Sequence, residues 1–376
     1  MDTTKPLTLL GGLAPDQFMK RHWQKKPLLV RGALPGFKPL LSRSELFSLA
    51  QRDAVESRLV MRDAGRWTMR QGPFARRALP PLNRPAWTLL VQGVDLHDCR
   101  AHDLLHQFAF VPHARLDDLM VSYATPGGGV GPHFDSYDVF LLQAQGRRRW
   151  RIGKQKDLSL QGNVPLKILA NFVPQAEYLL EAGDMLYLPP GYAHDGEAMD
   201  ECQTYSIGFR APARGELARE LLQRVAEDAA DNLQLALYAD PKQGATQTPG
   251  AIPLHLRDFA LDAVQAALKE PLALECALGE YLTEPKANVW FEAREFAPPL
   301  RGVSLDQATR MMYDARHIFI NGDSYLASGR DATLMRMLAD GRSLSGQHLA
   351  RASTAALELI ESWCEAGWAH AHAAAS

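Results

Sequence analysis

Cysteine is scarce in this sequence, and its four residues, Cys99, Cys202, Cys276 and Cys364, form no C-x-x-C pair. Their wide spacing predicts free thiols in a reducing compartment. No run of about 18 apolar residues is present, so no membrane-spanning segment is expected. The first residues lack the basic start and apolar core of a signal peptide. We therefore expect a cytoplasmic protein.

The sequence also has no large excess of charge of one sign. Its net charge is −2 and its pI is about 6.6, which argues against direct nucleic-acid binding through bulk charge. A hydrophobic content of 46% and a charged content of 22% are typical of globular proteins. A length of 376 residues is enough for two or three domains with ample core.

Short strands separated by turn residues dominate residues 119–210, a pattern that predicts a β-sandwich or barrel. A helical pattern follows over residues 214–238, with leucines at helical spacing. Residues 255–282 predict two more helical stretches, broken at Pro271.

The last ninety residues predict a separate unit with the element order of a winged helix. We expect a helix over residues 304–313 and then a hairpin over residues 318–326, turning at Asn321-Gly322. His370 and His372 lie in an Ala-rich tail that we expect to be disordered.

The sequence His133-Phe134-Asp135, directly after a glycine-rich run that ends at Pro132, carries the strongest chemical signal. Residues i and i+2 of a strand point to the same face, so one imidazole and one carboxylate converge there. Two His and one carboxylate form the facial triad of non-haem Fe(II) oxygenases.

The third ligand has a candidate in His194, which ends the segment Gly183-Asp-Met-Leu-Tyr-Leu-Pro-Pro-Gly-Tyr-Ala-His. A turn, a short apolar strand and a rigid Pro-Pro-Gly corner deliver this single histidine. Two readings remain beside an iron site, namely a zinc-bound barrel and a metal-free barrel with a binding role.

An arginine-rich strand, Arg147-Arg148-Arg149-Trp150-Arg151-Ile152, offers a second chemical clue. Alternation places Arg148 on the face of the apolar Trp150 and Ile152, which should point inward. A buried guanidinium is costly without an anion, and a dicarboxylate cosubstrate would supply one. The alternative is a solvated basic strand edge.

Residues near these motifs are weaker candidates. Ser122 lies on the strand leading to the glycine run and could donate to the same carboxylate, although a serine in a strand is often without a function. Tyr137 shares strand parity with His133 and Asp135, and an aromatic there is as often core as substrate contact.

Three segments of the sequence together resemble a known family. They are Pro126-Gly-Gly-Gly-Val-Gly-Pro-His-Phe-Asp-Ser-Tyr-Asp, Gly146-Arg-Arg-Arg-Trp-Arg, and the segment that ends at His194. This combination is similar to the bacterial ribosomal oxygenases, which are JmjC-type, cupin-like 2-oxoglutarate dioxygenases. The resemblance covers about residues 8–212, where His22-Trp23-Gln24-Lys25-Lys26-Pro27 and the closing Tyr205-Ser206-Ile207-Gly208-Phe209-Arg210 also match.

The resemblance implies an α+β chain with a double-stranded β-helix, the jelly roll of cupin and JmjC proteins. It implies a catalytic domain with an N-terminal extension over residues 1–212, a helical dimerisation segment over 213–285 and a winged-helix-like domain over 286–376. The cofactors are then Fe(II), 2-oxoglutarate as cosubstrate and O₂. The partners are a large-subunit ribosomal protein, hydroxylated on an arginine by a protein arginine 3-hydroxylase activity, and a second copy of the chain.

The resemblance also implies residue roles. His133, Asp135 and His194 hold the metal and are the catalytic set, and Arg148 and Ser122 bind the cosubstrate beside His133 and Asp135. Tyr137 and Met120 are candidate substrate contacts.

Two other functions remain open at this point. One is the same chemistry on a different residue, such as histidine, or on a different protein. The other is a non-enzymatic metal-binding cupin that acts as a scaffold or regulator. A third expectation concerns Asp195, Glu197, Asp200 and Glu201, which could attract a basic ribosomal protein near the cavity mouth.

Overall fold

The computed structural model describes residues 2–232, 236–269, 272–295 and 300–372. The chain divides into two compact units, Met1–Ala211 and Pro212–Ser376. The finer division of the second unit at residue 285 remains a prediction.

The first unit contains helices and many short strands. Its helices are α1 (Pro15–Arg21), α2 (Arg43–Leu49) and α3 (Cys99–His106). Its strands are β1 (Leu28–Val30), β2 (Ser57–Asp63), β3 (Arg66–Gln71), β4 (Trp87–Val91), β5 (Leu116–Ala124), β6 (His133–Phe134), β7 (Val139–Gln145), β8 (Arg148–Gly153), β9 (Ala176–Leu180), β10 (Met185–Leu188), β11 (Ala193–Ala198) and β12 (Cys202–Phe209).

These strands form two antiparallel sheets, the arrangement of the predicted double-stranded β-helix. The larger sheet has the order β1-β10-β7-β12-β5-β4-β2-β3, and the smaller sheet has the order β6-β11-β8-β9. In the larger sheet β12 lies between β5 and β7, so that Tyr205 faces Val121 on one side and Leu142 on the other.

Side-chain alternation gives the larger sheet two different faces. One face packs against the helices in the main hydrophobic core, where Phe18, Phe47 and Tyr205 are almost completely buried. The opposite face, with Ser122 on β5 and Thr204 on β12, lines a cavity of about 480 Å³ that residues of the smaller sheet also line. The period-two pattern of the strands therefore supplies a core on one side and a polar cavity on the other.

The second unit combines a helical segment with two small sheets. Its helices are α4 (Arg214–Asn232), α5 (Leu254–Lys269), α6 (Ala273–Thr283), α7 (Gly329–Gly341), α8 (Gly346–Leu349) and α9 (Thr354–Glu365). Its strands are β13 (Gly302–Leu305), β14 (Met311–Tyr313), β15 (His317–Ile320), β16 (Asp323–Leu326), β17 (Ser343–Ser345) and β18 (Ala369–Ala371). The helix break predicted at Pro271 lies outside the described residues. The helix predicted over residues 214–238 is too long, because α4 is helical to Asn232 and the described residues 236–238 are not helical.

The hairpin predicted in this unit is confirmed. Strands β15 and β16 pair with Ile320 opposite Asp323, which leaves Asn321 and Gly322 as the two-residue turn. Both residues have positive φ, 50° and 96°, which is the backbone of the tight turn that Asn-Gly favours.

The helix predicted over residues 304–313 is wrong, because this region forms the ends of two strands. Val303 and Leu305 are buried whereas Ser304 between them is only half-buried, which is strand periodicity. The Asp306 carboxylate then accepts a hydrogen bond from the backbone N–H of Ala308 at 2.9 Å. Such a local turn competes with helix formation.

The disorder expected for His370 and His372 is also wrong. Strand β18 pairs with β13, which places His370 opposite Ser304. The Nε2 atom of His370 lies 2.8 Å from an Asp306 carboxylate oxygen, so a partner that is distant in sequence orders the tail.

Candidate active site

The three residues predicted to hold a metal converge at one end of the cavity. His133 on β6 and His194 on β11 lie directly opposite each other in an antiparallel ladder. Their ring centroids are 4.2 Å apart, and His194 Nε2 lies 3.6 Å from an Asp135 carboxylate oxygen. The ligand atoms of all three residues lie within 4.8 Å of one another, and no other group of three potential ligands in the described part of the chain meets this criterion.

Backbone contacts orient both imidazoles for metal binding. Nδ1–H of His133 donates to the carbonyl oxygen of Gly131 at 2.9 Å, and Nδ1–H of His194 donates to that of Tyr192 at 3.0 Å. Because a carbonyl oxygen can only accept, Nδ1 of each ring carries a proton, and Nε2 is the nitrogen that faces the shared point. Burial and the neighbouring His133 lower the pKa of His194 to about 4, so this ring stays neutral near pH 7.

The loops on either side of the triad are shaped by glycine and proline. A Cβ on Gly129 would lie 2.5 Å from the carbonyl oxygen of Gly196 on β11, so only glycine lets the run after Pro126 pass this close. On the other side, the Gly191 N–H of the Pro-Pro-Gly corner donates to the carbonyl oxygen of Asp135 at 2.8 Å. These contacts bring the two sequence motifs together.

Arg148 lies at the same cavity, as strand parity predicted. It is 5% exposed, and its Nε and Nη2 atoms have no hydrogen-bond partner among the described residues. Trp150, two residues further along β8, also lines the cavity. A buried guanidinium with open donors fits a carboxylate, and this geometry excludes the alternative of a solvated strand edge.

The neighbouring arginines face the other side of the smaller sheet, where each is paired with an acidic residue. Arg147 contacts Asp200 at 2.9 Å, Arg149 contacts Glu197 at 2.8 Å and Arg151 contacts Asp195 at 2.5 Å. Glu201 is likewise paired, with Arg43 at 2.7 Å. Each of the four carboxylates expected to attract a basic substrate is therefore already paired with an arginine of this chain, and the pairing gives that expectation no support.

Ser122, Met120 and Tyr137 all line the cavity. Ser122 is buried, and its hydroxyl donates to the carbonyl oxygen of Thr204 at 3.3 Å, a weak contact that it can exchange for a ligand. Tyr137 is 39% exposed. Burial raises the pKa of the Tyr137 phenol above its usual value, and the carboxylates of Asp135 and Asp118 raise it further.

Asp118 and Thr204 are cavity residues that the sequence reading missed. The signal for Asp118 was present, because Asp118, Met120 and Ser122 alternate along one strand and so share one face. Thr204 lies opposite Ser122 on β12, and its hydroxyl donates to Gln143 Oε1 at 2.8 Å. The sequence alone could not show that Thr204 lies beside Ser122, because only the pairing of β12 with β5 brings the two residues together.

Comparison with known proteins is consistent across sequence and structure. Residues 103–217 match the JmjC domain family, and residues 266–370 match the ROXA-like winged helix family. The chain is 35% identical over 292 residues to the ribosomal protein uL16 3-hydroxylase of Escherichia coli, covering 76% of this chain and 74% of that protein. It is 37% identical over 205 residues to a probable ribosomal oxygenase of Haemophilus influenzae, covering 53% of this chain and 50% of that protein.

Solved structures of an Escherichia coli ribosomal oxygenase, YcfD, are similar over almost the whole chain. The form in complex with cobalt and 2-oxoglutarate has a TM-score of 0.79 and 28% identity, covering 95% of this chain and 98% of that one. Another crystal structure of the same protein gives a TM-score of 0.82 with the same coverage.

Proposed function

This chain belongs to the family of JmjC-domain ribosomal oxygenases, and we propose that it is a 2-oxoglutarate- and Fe(II)-dependent hydroxylase of ribosomal protein uL16, acting on an arginine. One observation carries the assignment. A facial set of two histidines and one aspartate shares a single cavity with a buried arginine, two of whose nitrogens have no hydrogen-bond partner among the described residues. A non-enzymatic metal-binding scaffold would need the three metal ligands but not the buried arginine.

The residues present fit the metal. His133, Asp135 and His194 offer two imidazoles and one carboxylate, the ligand set of non-haem Fe(II) oxygenases. Bound there with 2-oxoglutarate and O₂, Fe(II) supplies the oxidation that places a hydroxyl on the substrate C–H bond. The chain's own part is to keep the His194 imidazole unprotonated, to hold both rings in place and to restrict water.

Arg148 and Ser122 fit the cosubstrate. The Arg148 guanidinium would bind one carboxylate of 2-oxoglutarate through its fork of N–H groups, and the Ser122 hydroxyl would donate to the same group. Trp150 covers the part of the cavity between Arg148 and His194. Its ring centroid lies 5.8 Å from the Arg148 guanidinium carbon and 5.8 Å from the centroid of the His194 ring. The keto acid end would then point to the metal ligands.

A cationic substrate side chain fits the remaining wall of the cavity. Asp117, Asp118, Met120 and Tyr137 line it together. An arginine side chain has an apolar stem and a planar charged end, which match a methionine and a tyrosine ring next to a carboxylate. We therefore assign Met120 and Tyr137 to the stem and Asp118 to the guanidinium.

A direct assay tests the assignment. The purified protein, supplied with Fe(II) and 2-oxoglutarate, should add one oxygen atom to an arginine of uL16, read by mass spectrometry of the proteolysed product. A uL16 fragment with that arginine changed to lysine is the matched control and should remain unmodified. Release of succinate without any modified residue on uL16 would contradict the substrate assignment but not the oxygenase chemistry.

We also propose a homodimer formed through the helical segment. The helix α5 has no buried residue, and its Leu254, Phe259, Leu261 and Val264 are between 38% and 65% exposed. Leu222 on α4 adds to this apolar surface at 51% exposure. A helix with a continuous apolar face must cover it, and a second copy of the chain would do so.

Charge supports a protein partner over a nucleic acid. Residues 212–376 carry 15 Lys and Arg against 22 Asp and Glu, whereas residues 1–211 carry 26 against 21. Helix α9, Thr354–Glu365, has three glutamates and no basic residue. A second unit with this excess of acidic residues repels a phosphate backbone. In the described residues no helix is long and apolar enough to cross a membrane. We propose that the protein acts in the cytoplasm, where its ribosomal substrate is made.

A further inference from the structure

A chain of hydrogen bonds leads to the carboxylate assigned to the substrate guanidinium. Arg58 on β2 donates from Nη2 to Gln92 Oε1 at 3.0 Å. Gln92, directly after β4, donates from Nε2 to Asp118 Oδ2 at 2.9 Å. The backbone N–H of Gly93 donates to the same oxygen at 3.1 Å. The side chains of all three hydrogen-bonded residues line the cavity, namely Arg58, Gln92 and Asp118.

The amide of Gln92 can adopt only one orientation between these neighbours. A guanidinium only donates, and an ionised carboxylate only accepts. If the amide were reversed, its oxygen would face the Asp118 carboxylate and its NH₂ group would face Arg58. Arg58 therefore fixes the direction of the Gln92 amide, and Gln92 in turn fixes Asp118 Oδ2.

The other carboxylate oxygen of Asp118 lies beside Gly208 on β12. A Cβ at Gly208 would come within 3.3 Å of Asp118 Oδ1, closer than a side chain normally sits. The register of β12 against β5 shifts between Ile207 and Phe209, at this glycine. Any side chain at position 208 would therefore crowd Asp118 Oδ1.

We propose that Gln92 is a positioning residue that orients Asp118 toward the substrate guanidinium and keeps Arg58 from pairing with that carboxylate. The proposal rests on the function proposed above. A guanidinium binds a carboxylate through two parallel N–H···O bonds, so the plane of the carboxylate determines how well it binds. Without the Gln92 spacer, Arg58 itself would take the place of the substrate.

The spacer role predicts a particular pattern of mutant kinetics. Gln92→Ala should lower kcat/KM for a uL16 fragment by on the order of 10-fold or more, the size of a lost hydrogen bond to a charged group. The KM for 2-oxoglutarate should stay unchanged, because Arg148 is untouched. The double variant Arg58→Ala with Gln92→Ala should recover part of the activity, because the competing cation is gone.

Matched variants separate positioning from folding. Gln71 lies opposite Arg58 on β3 and does not line the cavity, so Gln71→Ala should leave all kinetic constants unchanged. Gln92→Glu keeps the size of the side chain and its contact with Arg58, but places a negative charge against Asp118, and it should lose at least as much activity as Gln92→Ala. Thermal denaturation of each variant reports whether it remains folded.

A crystal structure of Gln92→Ala gives a readout that needs no substrate. The Arg58 guanidinium should move to within salt-bridge distance of Asp118. If it stays in place and the variant hydroxylates uL16 normally, the proposal is overturned. Normal activity of Asp118→Asn would also overturn it. If the wild-type protein leaves uL16 unmodified, the proposed substrate fails instead, and the position of Arg58 in the crystal still decides the spacer role.

Discussion

Replacing Arg148 is the sharpest test of the cosubstrate assignment. The side chain is 5% exposed, and two of its nitrogens have no hydrogen-bond partner among the described residues. Truncating one partner of a buried, hydrogen-bonded charge pair costs about 2–5 kcal/mol. Taking about 3 kcal/mol, and about 1.4 kcal/mol for each factor of ten, Arg148→Ala should weaken 2-oxoglutarate binding about 100-fold.

The assay is the apparent KM for 2-oxoglutarate, measured by succinate formation, with calorimetric binding to the metal-loaded protein as a second measurement. Arg149→Ala and Arg147→Ala are the matched controls, because both arginines pair with acidic residues on the opposite face of the sheet. Exposed pairs of this kind contribute about 0–1 kcal/mol, so these variants should bind 2-oxoglutarate almost normally. Equal effects at all three positions would refute the strand-parity argument.

An apolar side chain of similar size at position 148 should stabilise the cosubstrate-free protein, although it would weaken cosubstrate binding. With no cosubstrate bound, a buried donor that lacks a partner costs on the order of 1–3 kcal/mol. Arg148→Met removes these donors while filling much of the volume. In chemical denaturation, the cosubstrate-free variant should therefore be more stable than the wild type, and added 2-oxoglutarate should no longer stabilise it. A variant that is less stable would show that Arg148 serves the fold.

The remaining predictions concern the metal, pH and assembly. His133→Ala and Asp135→Ala should each abolish hydroxylation and metal binding while leaving the circular dichroism spectrum unchanged, and an active Asp135→Ala protein would contradict the ligand assignment. The His194 pKa is about 4 in the folded chain against about 6.5 in an unfolded one, so between these values the unfolded chain binds a proton that the folded chain does not. The metal-free protein should therefore lose up to about 3 kcal/mol of stability as the pH falls from about 6.5 to about 4, and His194→Gln should flatten that decline in denaturation curves. Light scattering should give twice the 41.7 kDa chain mass, and Leu261→Ser with Val264→Ser should reduce it to the monomer, whereas a monomeric wild type would exclude the dimer.

The residues that the sequence placed correctly are those whose local pattern determines their direction. His133 is tied to Asp135 by strand alternation, and the same alternation turned Arg148 inward between apolar neighbours. Such period-two arguments need no knowledge of the fold. His194, 61 positions after His133, was a candidate from its own turn, strand and Pro-Pro-Gly corner, but its position opposite His133 is set by the pairing of β6 with β11, which nothing local predicts.

What the sequence did not reveal depends on strand order and on long-range partners. Arg58, Gln92 and Asp118 are neighbours only because β2, β4 and β5 lie side by side in the larger sheet. His370 is ordered by Asp306, 64 positions away. The segment around Ser304 also depends on such partners, since β13 is a strand between β17 and β18.

The ion pairs on the outer face of the smaller sheet favour one alignment of the two strands that carry His194 and Arg148 on the inner face. Arg151 lies directly opposite Asp195, and Arg149 directly opposite Glu197, so two ion pairs at alternate positions join β8 to β11. A slip by one residue would turn every side chain of one strand to the other face and move His194 out of the cavity that Arg148 lines. Residues outside the cavity thus help to set the spacing between His194 and Arg148 inside it. Exchanging the two residues of one ion pair should preserve that spacing. Reversing the charge of one member alone should destabilise the alignment of β8 with β11 that sets the spacing.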